Sequence, residues 1–161
     1  MSFKTGNFDI AHYHIINDAD VNFKETSNIN EWTAPVLHDC IRATIFNCYT
    51  LQPNGNIFER SYELLRLMLA NGADPNSTDG YGNNALNRTF LDARQMIFHP
   101  QFNQSEKVLE QIRRVFKTLI NAGADINRAT EDRKILVNQI TDSKMDVYKL
   151  FKNDLMLSLK Q

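Results

Sequence analysis

The sequence holds only two cysteines, Cys40 and Cys48. That is too few for a disulfide framework and points to a reducing compartment. Neither sign of charge dominates, since 18 basic and 19 acidic residues leave a formal net charge of -1. A nucleic-acid or anionic-membrane partner held mainly by bulk charge is therefore not expected. The chain has no run of about 18 apolar residues, so no membrane-spanning helix is expected either. Met1 to Gly6 carry no apolar stretch of the kind a Sec-type leader needs. The expected location is the cytoplasm, or a host cytosol if the chain is a bacterial effector delivered without such a leader.

Catalytic and metal-binding patterns are equally scarce. His12 and His14 stand two apart, and residues i and i+2 of a helix do not face one another. His38, Cys40 and Cys48 match no Cys-Xaa-Xaa-Cys spacing and lack a fourth ligand, so no metal site is expected. Cys40 with His38 or His99 has no orienting third group, as a nucleophile pair requires. Gly80-Tyr81-Gly82 lacks the Gly-Lys-Ser/Thr that would make it a phosphate loop. No cofactor is implied.

What is present is enough for one domain: 161 residues, 42% hydrophobic and 23% charged. Asparagine takes about one position in nine, a marked bias. With abundant Ile and Lys, it reads as AT-rich coding sequence, as in intracellular bacteria and large viruses. The dominant signal is a repeated turn. Asn71-Gly72-Ala73-Asp74-Pro75-Asn76 is echoed by Ala122-Gly123-Ala124-Asp125-Ile126-Asn127 and by Asn17-Asp18-Ala19-Asp20-Val21-Asn22. Gly72 and Gly123 suit a helix end that needs positive φ, and Asp18 takes that place in the first copy. The Asp and Asn that follow are suited to bonding nearby backbone amides. Before each turn, apolar residues recur at helical spacing: Ala11, His14 and Ile15; Leu65, Met68 and Leu69; Phe116, Leu119 and Ile120. His14 is the odd member.

After each turn comes a polar finger. The first runs from Phe23 to about Thr33, the second has Asp79 to Asn83 at a hairpin tip, and the third covers Ala129 to Arg133. Helices are expected near Pro35 to Ile45, from Asn84 onward, over Ile135 to Ile140, and over Asp142 to Leu159. Glu110 is placed to pair with Arg114 at i,i+4. His38 reads as a structural histidine that bonds backbone around the finger.

These features resemble the ankyrin-repeat family. Gly82, Asn84, Ala85, Leu86 and Asn87 stand where the family has Gly, Thr, Pro, Leu and His. Leu37 and His38 take the Leu-His places in the preceding copy, and Val137 and Asn138 take them in the last, where the Gly and Thr-Pro are gone. The turns lie about 50 residues apart against ~33 in the family. The excess falls near 46–58 and 93–105, read as helix extensions followed by loops. The aromatics there, Phe46, Tyr49, Phe58, Phe98 and Phe102, are assigned to a small additional core. The resemblance implies an all-α, ankyrin-like solenoid of helix-turn-helix repeats joined by β-hairpin fingers. About three to four repeats with inter-helix insertions form one domain over 1–161. It divides into a half-repeat cap at about 6–22, repeats at about 23–76 and 77–127, and a capping repeat at about 128–161.

A repeat stack presents a surface of fingers and first helices, and the resemblance implies that another protein binds there. Interface hot spots favour Trp, Tyr and Arg. On those elements they are Trp32, Tyr81 and Arg133, with Arg42 and Arg88 behind them. The expectation is a non-enzymatic protein-binding module, monomeric or weakly self-associating, of the effector, inhibitor or immunity type. Two readings stand beside it: an enzyme with its site in the inserted loops, around His99, Asp92, Cys48 and Glu59, and a self-associating structural unit.

Overall fold

The computed structural model describes residues 2–30, 32–48, 56–97 and 105–128. Among these the chain is mostly helical, with five α-helices and one small antiparallel sheet. The elements are α1 (Phe8–Ile16), β1 (Lys24–Thr26), β2 (Thr33–Pro35), α2 (Val36–Phe46), α3 (Ile57–Ala70), α4 (Ala85–Ile97) and α5 (Glu106–Asn121). A short 3-10 turn follows at Ile126–Arg128. The expected helices at 135–140 and 142–159, the third finger, and Tyr49, Phe98 and Phe102 lie outside the described residues.

The helices form two layers. In one, α2 packs on α4; in the other are α1, α3 and α5, with α1 on α3, α3 on α2 and α5 on α4. The core between them is apolar and closed, with Leu37, Ile41, Leu65, Leu86, Phe90 and Phe116 almost wholly removed from water. Such burial contributes about 1.5–3 kcal/mol for each large side chain. Of the apolar set before the first turn, Ala11 and Ile15 are buried but His14 is exposed. An imidazole at the edge of the layer keeps its hydration. Phe58 joins the core and stacks on Tyr62 with ring centres 5.5 Å apart.

Three helices end in the same way. Asp18, Gly72 and Gly123 adopt φ of 62°, 87° and 87°. The next residue then reaches back five positions: Ala19 to the His14 carbonyl, Ala73 to Met68 and Ala124 to Leu119, each at 3.0 Å. These bonds satisfy carbonyls that a helix end would otherwise leave open. In each turn the aspartate accepts from the amide of the asparagine two residues on, at 2.8 Å for Asp20 and Asp74 and 2.9 Å for Asp125.

The asparagine side chains reach much further than their own turns. Asn22 donates Nδ2 to the Gly72 carbonyl at 2.9 Å and accepts the Asp74 amide at 2.7 Å. Asn76 does the same to Gly123 and Asp125, both at 2.8 Å. Each turn is thus clamped to the next by one carboxamide. Asn84 adds a second link. Its Oδ1 caps α4 by accepting from the Asn87 amide at 3.1 Å, while its Nδ2 donates to the Asp125 carbonyl at 2.7 Å.

Two pairings differ from the sequence expectation. Arg114 pairs not with Glu110 but with Glu59 of α3, in a bidentate contact at 2.6 and 2.8 Å. The Phe58 and Tyr62 rings lie 5.2 and 4.4 Å from its guanidinium carbon, so stacking draws it across to α3. That bond also holds the Glu59 carboxyl below its ordinary range. The second finger, expected as a short hairpin, forms no strand, because the carboxylate of Asp79 takes amides that a ladder would need.

Replacing Asn76 by Ala removes both arms of one clamp and leaves the Gly123 carbonyl and the Asp125 amide unmet. The expected cost is about 1–2 kcal/mol in urea unfolding. Asn76→Asp, which keeps an acceptor but sets a carboxylate against a carbonyl, is expected to cost no less.

Candidate functional site

The two fingers within the described residues stand side by side. In the first, β1 and β2 pair with Lys24 opposite Pro35 and Thr26 opposite Thr33. The Ser27 amide closes the loop onto the Trp32 carbonyl at 2.7 Å. The second finger is organised by Asp79, whose carboxylate accepts the Tyr81 and Asn83 amides, both at 2.9 Å, and the Asn83 side chain. The Gly80 amide donates to the Thr33 carbonyl at 2.7 Å, and Lys24 Nζ donates to the Thr78 carbonyl at 3.3 Å. The Trp32 ring lies over Gly80. A Cβ on Gly80 would sit 3.0 Å from Trp32 Cδ1 and 3.1 Å from the Thr33 nitrogen, so this close approach favours glycine.

Trp32 and Tyr81 are brought together, with ring centres 6.4 Å apart and planes at 49°. Trp32 is half-buried between the fingers and its Nε1 meets no protein acceptor among the described residues. Tyr81 is 60% exposed. Beyond them, at the tip of the first finger, Ile29 is 95% exposed. Sequence reasoning passed over Ile29. The signal was an isolated apolar residue in the polar run Ser27-Asn28-Ile29-Asn30.

Arg42 and Arg88 do not join this group. Arg88 grips the fully buried Asp92 through two nitrogens, with Nε 2.9 Å from Oδ2. Arg42 lies over the Phe46 ring at 5.4 Å, on the rim of a cleft of about 740 Å³ that Lys4, Asp39 and Arg60 also line. There, burial raises the Asp39 carboxyl despite the nearby Lys4 ammonium. Arg133 lies outside the described residues.

Of the residues proposed for an inserted-loop enzyme, Asp92, Glu59 and Cys48 are each engaged separately. Asp92 holds Arg88 and Glu59 holds Arg114. Cys48 is fully buried, and burial pushes its thiol up. His99 lies outside the described residues. Among the described residues no three His, Cys, Asp or Glu side chains cluster as metal ligands would, and no helix is long and apolar enough to cross a membrane.

No family model matches this chain, and no curated protein or solved structure does. The geometry of the finger base therefore carries the functional argument.

Beneath the fingers lies a buried polar cluster: His38, Asp79, Asn83, Asn84 and Asn87. His38 Nδ1 is 3.9 Å from Asp79 Oδ2. The Ser77 backbone favours the protonated ring without closing a hydrogen bond of normal geometry. Burial outweighs these contacts and lowers the His38 pKa from 6.5 to about 4, with Asp79 opposing and Arg88 and Lys24 adding to the fall. The imidazole is thus neutral in the folded chain at pH 7.

The sign of the pH effect follows. The unfolded chain takes the proton first, so stability from His38 is full above pH 6.5 and is lost as pH falls towards 4. Between pH 7 and 4.5 the expected loss is about 2 kcal/mol. It is measured as the difference in urea-unfolding free energy between the wild type and His38→Gln at the two pH values.

Proposed function

We propose that the chain is a divergent ankyrin-like module that binds another protein through its fingers. The observation that carries this reading is the fully presented Ile29, set beyond Trp32 and Tyr81 on a hydrogen-bonded base. A large apolar side chain 95% exposed at the end of an ordered hairpin is suited to entering a partner's pocket. Trp32 stiffens the base, and Tyr81 supplies a broad ring at low entropic cost. The shared turn geometry, the asparagine clamps and the two helix layers support the ankyrin-like assignment. So does Asn84, which takes the family's threonine place and caps a helix as threonine does.

In this reading the domain spans 1–161 as about three to four repeats, with insertions between the helices of each. It acts without catalysis, in a cytoplasm, as an effector, inhibitor or immunity-type protein that covers its target. The inner helices α2 and α4 orient the fingers, and Arg42 lies away from the finger tips at the side.

Affinity capture with three immobilised full-length baits tests this reading: wild type, Ile29→Asp and Tyr81→Ala. Both positions are exposed, so the variants are expected to keep the wild-type circular dichroism. A single protein held by the wild type is expected to bind each variant at least tenfold more weakly, which is about 1.4 kcal/mol or more. A partner retained equally by all three baits would sink the finger assignment.

A further inference from the structure

We propose that the cleft beside α2 is a binding site for a small carboxylate with an apolar body, held by Arg42. The cleft follows from the layering. Among the described residues, the layer of α2 and α4 has one helix fewer than that of α1, α3 and α5. Beside α1 the place of the missing helix is taken by the turns of residues 2–6. These seat Phe3 against the core but close only part of the gap. One side of α2 is left facing the opening, where Asp39, Arg42, Ala43 and Phe46 recur at helical spacing and all line it.

The size and walls suit a small molecule. The cleft holds about 740 Å³, within the ~300–1,000 Å³ typical of small-molecule sites. Its apolar walls come from four separate segments: Phe3 from the turns, Phe8 from α1, Ala43 and Phe46 from α2, and Ile57 from α3.

Charge selects the ligand. Three cations line the cleft, and two of them are engaged: Lys4 pairs with Glu25 and Asp39, and Arg60 pairs with Asp9. Arg42 meets no carboxylate among the described residues. Its guanidinium carbon lies 5.4 Å from the centre of the Phe46 ring. Stacking on a ring fixes the plane of the guanidinium and leaves its N–H edge open. Such a fork donates two parallel bonds to a carboxylate. Asp39, the acidic side chain of the lining, is committed to Lys4 at 3.5 Å and stands outside bonding range of Arg42. A carboxylate on Arg42 sets the apolar body of the ligand against Phe46 and Ala43. The site uses none of Ile29, Trp32 and Tyr81, so it stands or falls separately from partner binding at the fingers.

Titration of the full-length chain, followed through its backbone amide resonances, tests the site with three ligands of one shape: naphthoate, the neutral naphthamide and the cation naphthylmethylammonium. Naphthoate is expected to move the amides of Phe3, Ala43 and Phe46, and to bind about tenfold more tightly than naphthamide. Arg42→Gln, at an exposed position, removes that preference and leaves naphthamide binding unchanged. Ala43→Phe, which fills the cleft, weakens both. Circular dichroism checks the fold of each variant, and if Ala43→Phe disturbs it, Arg42→Gln alone decides. The proposal is overturned by any of four results: no saturable shift with naphthoate, shifts centred on other residues, an unchanged preference in Arg42→Gln, or tighter binding of the cation.

Discussion

One carboxamide between successive turns is the contact on which the arrangement depends. A helix end presents carbonyls that its own backbone cannot satisfy, and a tight turn presents amides in the same state. The Asn22 side chain meets one of each, the Gly72 carbonyl and the Asp74 amide, two residues apart in the next turn. Asn76 repeats the contact on Gly123 and Asp125. Asparagine sets a separate donor atom and acceptor atom side by side on a one-carbon stem, so it meets both groups at once. Aspartate lacks the donor, and glutamine adds a methylene that carries the amide past its partners. The clamps fix the register of the turns and, through them, the helices that enter and the fingers that leave. The segments that join α2 to α3 and α4 to α5 fall in sequence away from the clamped turns, so their lengths do not enter that register.

The turns and helices were legible in the sequence because their causes are local. Positive φ at Asp18, Gly72 and Gly123 follows from turn chemistry, and the buried faces of α3 and α5 follow from helical spacing. What was not legible are contacts between segments about 50 residues apart. Asn22 reads as a turn residue, and its bond to the next turn leaves no trace in its neighbours. Arg114 has a suitable carboxylate one helical turn away at Glu110, yet it crosses to Glu59 because two aromatic rings wait there. At the site, residue type identified Trp32 and Tyr81, but it could not tell a presented arginine from Arg88, which is committed to a buried carboxylate. Ile29 was missed because apolar residues are ordinarily assigned to the core, and only the hairpin shows it exposed to water.

The polar interior at the finger base serves position rather than stability. His38, Asn83, Asn84 and Asn87 occupy volume that aliphatic side chains would fill more favourably. Both amide atoms of Asn87 and both ring nitrogens of His38 lack hydrogen-bond partners among the described residues. In return, Asn84 and Asp79 hold the second finger and the third turn by directional bonds that an apolar core does not offer. A misplaced finger would leave several buried groups unmet at once, so the alternatives are penalised together. His38 sits beneath this network uncharged, and a proton there would oppose Arg88 and Lys24 while gaining Asp79 only at 3.9 Å.

The same rigidity accounts for the exposed apolar side chains. Ile29 and Tyr81 cannot fold back under their fingers, because the base is held by the Gly80–Thr33 bond and by the close approach of Trp32 to Gly80. Ile10, Tyr13 and Ile16 cannot turn inward, because α1 already buries its opposite face against α3 and its end is set by the turn at Asp18. In both places a fixed backbone leaves apolar surface facing water that a more yielding chain would hide. Clamping each turn to the next fixes the helices and fingers in place, and among the described residues Ile10, Tyr13, Ile16 and Ile29 stay exposed at their margins. Among the described residues, the finger tips and the outer side of α1 are therefore where large apolar side chains stay in water.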